Sequence, residues 1–224
     1  MSSIRKLINQ TAIYGTSSII GRFLNFLLTP LYALQFTNEQ YGIITEMYAY
    51  VAFLVVFLTY GMETAFFRFS TTNKEGKINI YSNTLYSLIT TSAIFVAMAT
   101  IFSQNIADWL KYPNHKEYII WFSLIVSLDA VSSIPLAKLR LQEKAKKFAL
   151  VNLLNVGVNI FLNLFFLIYC KEAYENGHQN WITENLYNPE IGVGYVFISN
   201  LIASVIKFGV LMPTMSFKGT FDFT

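Results

Sequence analysis

Six long apolar segments, placed one after another, constrain what this chain can fold into. A helix needs about 20 residues to cross the hydrocarbon core of a bilayer. Each segment has about that length and holds at most one ionised side chain before its final residue. The segments are 12–34, 41–60, 81–102, 118–138, 148–170 and 191–213. The sequence therefore predicts an all-α polytopic membrane protein, with residues 1–213 as one lobe of six transmembrane helices and residues 214–224 as a cytoplasmic tail.

The composition supports the same class. Charged residues make up 13% of the chain, about half the fraction that is usual in soluble domains. Hydrophobic residues make up 54%. The net charge of +3 is too small to indicate a nucleic-acid partner, so membrane lipids are the expected surroundings.

The distribution of basic residues predicts the orientation of the helices. Eleven Lys and Arg residues lie on the termini and on alternate connections, whereas the other connections hold three. Basic residues are retained on the cytoplasmic side, so both termini are expected in the cytoplasm. The eleven are Arg5, Lys6, Arg68, Lys74, Lys77, Lys138, Arg140, Lys144, Lys146, Lys147 and Lys218, and the three are Lys111, Lys116 and Lys171.

The residue types needed for metal or catalytic chemistry are sparse. Cys170 is the single cysteine, and His115 and His178 lie on different connections without the spacing of metal ligands. No catalytic triad or glycine-rich phosphate loop is recognisable. We expect no metal or other cofactor, and a transporter rather than an enzyme.

The first span carries a polar face with a central arginine. Residues three or four positions apart share one face of a helix. Arg22 lies near mid-membrane, where an arginine costs roughly 2.5–3.5 kcal/mol, so it is expected to face the bundle interior or a water-filled cavity. Two interpretations remain open, an ion pair between helices or a ligand for an anionic substrate. The face consists of Gly15, Ser18, Arg22, Asn25 and Thr29.

The fifth span carries a second polar face, made of amides. Asn152, Asn155, Asn159 and Asn163 follow one another at spacings of three and four residues. Hydrogen bonds between membrane helices contribute about 0.6 kcal/mol each on average, so helix–helix contact is one interpretation. Four amides exceed what one helix contact usually needs. The pattern favours the wall of a cavity along which a sugar moves.

Three further ionisable residues lie within the spans. Asp129 lies at the same depth as Arg22, so it is expected either to form a structural pair or to take up protons, since burial raises the pKa of a carboxyl group. Glu46, nearer the outer face, is a second candidate for ion coupling. Lys207 shares a face with Asn200 and Ser204 and lies close enough to the cytoplasm to snorkel. A contact between Lys207 and the substrate is the alternative.

Several segments of the sequence resemble bacterial polysaccharide-export flippases. These proteins, often described as lipopolysaccharide biosynthesis proteins, belong to the multidrug/oligosaccharidyl-lipid/polysaccharide exporter superfamily. The similarity extends over essentially the whole chain and is most specific in the first two spans. The segments are 11–15, 21–25, 30–32, 39–42, 60–68, 129–135, 139–140, 148–149 and the asparagine-rich fifth span.

The resemblance implies one lobe of a two-lobed, alternating-access transporter in the bacterial plasma (inner) membrane. Such a transporter moves an isoprenoid-pyrophosphate-linked oligosaccharide from the cytoplasmic to the outer leaflet. It implies that Arg22 engages the pyrophosphate, and that this chain, which resembles only the first lobe, is either a fragment or a truncated product. Transport would be coupled to a proton or sodium gradient. The expected substrate-binding residues are Arg22, Asn25, Asn155, Asn159, Asn163 and Lys207, and the coupling candidates are Asp129 and Glu46.

Two alternative functions stay open at this stage. A cation-coupled drug exporter of the same superfamily would have acidic side chains as the dominant charge of its cavity. A truncated membrane component that only binds lipid or a partner subunit would carry out no transport.

Overall fold

The structure, a computed structural model, describes residues 2–72, 77–177 and 181–215, and these contain helices and no strand. Lys74, His178, Lys218 and positions 216–224 of the predicted tail lie outside the described residues. The α-helices are α1 (Ser2–Phe26), α2 (Leu28–Gln35), α3 (Asn38–Thr59), α4 (Met62–Thr72), α5 (Lys77–Ile101), α6 (Ser103–Trp109), α7 (Lys116–Leu141), α8 (Ala145–Leu164), α9 (Lys171–Glu175), α10 (Trp181–Leu186) and α11 (Gly194–Leu211).

The prediction of six transmembrane helices is confirmed. Six helical segments within the described residues are long and apolar enough to cross a membrane. The fifth segment continues from α8 through a π-helical stretch, Phe165–Cys170, into α9. The six are Thr11–Gln35, Asn38–Thr71, Ile80–Ile101, Lys116–Leu141, Ala145–Glu175 and Gly194–Thr214.

Helix α7 forms the centre of the bundle. It packs against α3, α5 and α11, and also contacts α4, α6 and α8. Ile125, Val126, Ala130 and Ile134 on this helix are completely buried. A helix that is apolar on all sides is stable only when it is surrounded by other helices or by lipid, and α7 is surrounded by helices.

The first span is broken where a continuous helix was expected. Helix α1 ends at Phe26 and α2 begins at Leu28. Pro30 has no backbone N–H, so the carbonyl group of Phe26 lacks its usual donor four residues later. The N–H of Leu27 is shared between the carbonyl groups of Phe23 and Leu24. The break places Tyr32 on a helix segment of its own.

The second span is also divided, at a left-handed turn. Tyr60 and Gly61 have φ angles of 31° and 74°, which end α3 before α4 starts at Met62. At the other end of α3, the side chain of Thr37 accepts a hydrogen bond from the N–H of Gln40, whose side chain accepts one from Thr37 in return. This capping box fixes where the helix begins.

The order of packing leaves an opening between two helices. Helix α1 packs on α8, α8 packs on α11, α11 packs on α7, and α7 packs on α3. Helices α1 and α3 thus lie at the two ends of this series. The space between them is where the polar faces of the sequence meet.

Candidate functional site

A polar cavity of about 270 Å³ lies between α1, α2, α3, α8 and α11. Of the described residues that line it, four are asparagines, two are tyrosines and none is charged. The lining residues are Asn25, Leu28, Tyr32, Tyr48, Asn155, Val156, Asn159 and Asn200. Amide and phenol groups donate and accept hydrogen bonds without carrying charge, so the cavity suits an uncharged polar group.

The amide face of α8 divides between the cavity and the packing behind it. Asn155 and Asn159 line the cavity, whereas Asn152 does not. Asn163, expected among the substrate-binding residues, is completely buried and does not line the cavity. It accepts a hydrogen bond from the Tyr32 hydroxyl at 3.0 Å and donates its amide to the backbone carbonyl and Oδ1 of Asn159 at 2.8 and 3.1 Å. Asn163 therefore holds Asn159 in place.

Three polar cavity residues, Tyr32, Tyr48 and Asn200, were not among the site residues predicted from the sequence. The amide of Asn200 on α11 donates to the Tyr48 hydroxyl on α3 at 3.2 Å, and this bond joins two walls of the cavity. Tyr48 is one of 14 tyrosines in the chain, so its presence in an apolar span carried little information. In the sequence, only the polar side chain of Asn200 within an apolar span indicated that the sixth span contributes to the cavity.

Arg22 is exposed on α1 beside the face that packs on α8. That packing face includes Gly21, which lies against Val156, and Ser17 on the same helix is buried. Within the described part of the chain, no carboxylate is paired with the Arg22 guanidinium. The ion-pair interpretation of Arg22 therefore has no partner among these residues. Its role in binding an anionic substrate stays a prediction.

Asp129 pairs with Lys207 and not with Arg22. The Lys207 Nζ lies 2.5 Å from Asp129 Oδ1, and the Ser204 hydroxyl donates to the same oxygen at 3.1 Å. The reason is the packing order, because α7 and α11 are neighbours whereas α1 packs on α8. The expectation that Lys207 snorkels to the cytoplasm is wrong, since only 10% of its side chain is exposed.

Glu46 lies apart from the cavity, in a small polar cluster. Its two carboxylate oxygens accept hydrogen bonds from the hydroxyls of Tyr50 at 2.9 Å and Tyr112 at 2.6 Å. Burial, together with the hydrogen bond to Glu46 and its charge, raises the pKa of Tyr112 to about 12. The Tyr112 hydroxyl therefore remains protonated and can donate at neutral pH. Glu46 and Asp129, the two coupling candidates, are in separate clusters.

No group of metal-ligating side chains is found within residues 2–72, 77–177 and 181–215. Cys170 is a buried free thiol. His115 pairs with Glu117 at 2.9 Å and stacks on Tyr118, so its contacts are local to the start of α7.

Fold and cavity together define a polytopic membrane protein with six candidate spans, some of which border a polar cavity, and the described residues that line this cavity carry no charge. The model of a family described as polysaccharide biosynthesis protein matches residues 35–217. The chain belongs to this family, as the resemblance of its sequence indicated. A search of curated proteins and a search of solved structures each found no match. The matched region includes α3, α8 and α11 of the cavity wall, whereas Arg22 and Asn25 on α1 precede it.

Proposed function

We propose that this protein is a flippase that moves an isoprenoid-pyrophosphate-linked oligosaccharide from the cytoplasmic to the outer leaflet. The observation that carries the proposal is the uncharged, amide-lined cavity inside the transmembrane bundle of a polysaccharide biosynthesis protein. Polar groups within a membrane mark the pathways of substrates and ions. A saccharide needs such a lining because its hydroxyl groups lose their water on entering the bilayer.

The two chemical parts of the substrate would bind at different places. The sugar would lie in the cavity, against Asn25, Asn155 and Asn159. The pyrophosphate would bind Arg22, which lies three residues before Asn25 on α1 and makes no ion pair within the described residues. A guanidinium group suits phosphate because it is always charged and presents a planar fork of donors.

Transport requires a second conformation and a source of energy. We assign the chain to the N-terminal lobe of a two-lobed transporter in the bacterial inner membrane, working by alternating access with a C-terminal lobe as its partner. A proton or sodium gradient would drive the cycle through Asp129 or Glu46.

The observations favour this substrate over the lipophilic cation of a drug exporter. A cavity for cations would place carboxylates on its wall. None of the described residues that line this cavity is acidic. The charge of Asp129 is balanced by Lys207, which leaves little attraction for a second cation.

Deletion of the gene tests the proposal. We expect the lipid-linked oligosaccharide to accumulate on the cytoplasmic leaflet, because its glycan can no longer cross the membrane. A normal leaflet distribution in the deletion strain would contradict transport and would favour a component that only binds lipid or a partner.

Arg22 provides the test at the level of a single residue. Arg22→Ala is expected to abolish rescue of the deletion strain while the protein remains at its normal abundance in the membrane, since the exposed guanidinium makes no ion pair with a described residue. Arg22→Lys, which keeps the charge and loses the planar fork, should rescue in part. Full rescue by Arg22→Ala would remove Arg22 from the binding site.

A further inference from the structure

The hydrogen bonds around the cavity decide which groups are left for a ligand. Asn163 donates to Asn159 Oδ1, so the carbonyl oxygen of the Asn159 amide already accepts one hydrogen bond, and its NH₂ group remains available as a donor. Asn200 donates its NH₂ group to the Tyr48 hydroxyl, so the Tyr48 proton and the Asn200 carbonyl oxygen remain available. Asn159 and Tyr48 therefore offer donors, and Asn200 offers an acceptor.

A second acceptor, without a partner in the described part of the chain, lies in the cavity wall, on Asn155. Its Oδ1 is buried and has no hydrogen-bond partner among the described residues, although the residue lines the cavity. A buried polar atom without a partner costs free energy comparable to a lost hydrogen bond. An arrangement with this cost is typical of a position that a ligand or water completes.

The electrostatics of the cavity exclude a charged ligand. No described lining residue is ionised, and the pair beside the cavity, Asp129 and Lys207, carries no net charge. A carboxylate moved from water into this space would lose its hydration without gaining a cation among the described lining residues, which is costly in a membrane interior. A neutral hydroxyl would lose less water and would find partners of both kinds.

We propose that this cavity is a subsite for one neutral sugar residue and that it discriminates against acidic sugars such as uronic acids. Each sugar hydroxyl both donates and accepts, which matches the donors of Asn159 and Tyr48 and the acceptors of Asn155 and Asn200. The volume of about 270 Å³ lies just below the range of about 300–1,000 Å³ that is typical of sites for drug-sized ligands. This inference rests on the proposed function and specifies the sugar that the transporter accepts.

Ligand-observed NMR on the purified chain in nanodiscs tests the subsite. The two probes are methyl glucoside and methyl glucuronide, which differ only in that a CH₂OH group is replaced by a carboxylate. We expect saturation transfer from the protein to methyl glucoside and none to methyl glucuronide. Empty nanodiscs give the background for both probes.

Two asparagines of α8 form a matched pair of variants. Asn155→Ala removes the unpartnered acceptor and is expected to raise the Kd for methyl glucoside about tenfold, the effect of one hydrogen bond. Asn152→Ala removes an amide from the same helix outside the cavity lining and should leave the Kd unchanged. Tyr48→Phe, which preserves the ring, should weaken binding in the same direction and serves as the second variant where Asn155→Ala does not fold.

Three results would overturn the inference. Equal or stronger transfer to methyl glucuronide would show that the cavity does not select neutral sugars. If neither probe received saturation transfer, the cavity would hold only water. An equal loss of affinity in the Asn152 and Asn155 variants would place the sugar elsewhere. Each of these results is compatible with leaflet accumulation in the deletion strain, so the subsite can fail while the flippase proposal stands.

Discussion

At the scale of single residues, the burial of a charged side chain depends on a partner of opposite charge. Lys207 is almost completely enclosed, and its ammonium group contacts Asp129 across the interface of α7 and α11. Such a pair contributes little net stability because both charges lose their hydration, but removing one partner leaves the other buried and uncompensated. We expect the pair to fix the alignment of α7 against α11 more than it stabilises their contact.

Substitution of one partner should therefore be worse than substitution of both. Asp129→Leu is expected to lower the free energy of unfolding by about 3 kcal/mol or more, because Lys207 is left without a partner. The double variant Asp129→Leu/Lys207→Met should recover most of this loss. Unfolding of the purified protein by denaturant measures both, and a double variant as unstable as the single one would contradict the prediction.

Asn163 acts as a support for the cavity wall. Asn163→Ala leaves the Tyr32 hydroxyl and Asn159 Oδ1 without their partner, so we expect a loss of about 1–3 kcal/mol in the free energy of unfolding. Asn152→Ala, on the same helix but with no hydrogen bond of this kind, should change stability by no more than about 0.5 kcal/mol. Thermal unfolding of the two variants makes the comparison. Equal effects would mean that the bonds of Asn163 contribute nothing to stability.

At the scale of helices, two interruptions divide the first two spans, and the first of them shapes the cavity. Pro30 divides the first span and lets α2 bring Tyr32 to Asn163. Tyr60 and Gly61 end α3 in a left-handed turn. The break could have been predicted from the sequence, since Pro30 lacks the N–H that a helix needs. The position of Tyr32 after the break depends on the packing of α1 against α8.

The turn at Gly61 gives a prediction at this scale. Gly61→Ala is expected to destabilise the protein by about 1–2 kcal/mol, because an alanine is strained in the left-handed region, although no atom lies within 4 Å of the added Cβ. Gly15→Ala adds a methyl group with equally free space in the middle of α1 and should stabilise it by up to about 1 kcal/mol. Thermal unfolding midpoints should therefore shift in opposite directions. A shift in the same direction would refute the conformational argument.

At the scale of the whole molecule, the basic residues predict the orientation of the helices in the membrane. The turn between α7 and α8 contains Lys144 and is followed by Lys146 and Lys147. Basic residues stay on the cytoplasmic side, so Lys144→Cys should react with a membrane-impermeant thiol reagent only after cells are opened. Glu184→Cys on α10 should react in intact cells. The native Cys170 is completely buried and is expected to remain unlabelled. The reverse pattern would invert the topology.

The sequence alone determined the class of the protein, its six membrane-spanning segments and its family. The length and hydrophobicity of a segment are local properties, and they decide whether a helix crosses a bilayer wherever its neighbours lie. The alignment of Asn155 and Asn159 on one helix face was accessible for the same reason, since helical periodicity fixes which residues share a face.

Only the tertiary structure decided which polar residues meet. It joined Asp129 to Lys207 instead of Arg22, buried Asn163 behind the cavity and brought Asn200 to Tyr48. The depth of a residue in the membrane follows from its sequence position, but its neighbours at that depth depend on the order in which helices pack. That order is set by the fit of side chains along whole helices, and no single segment of the sequence contains it.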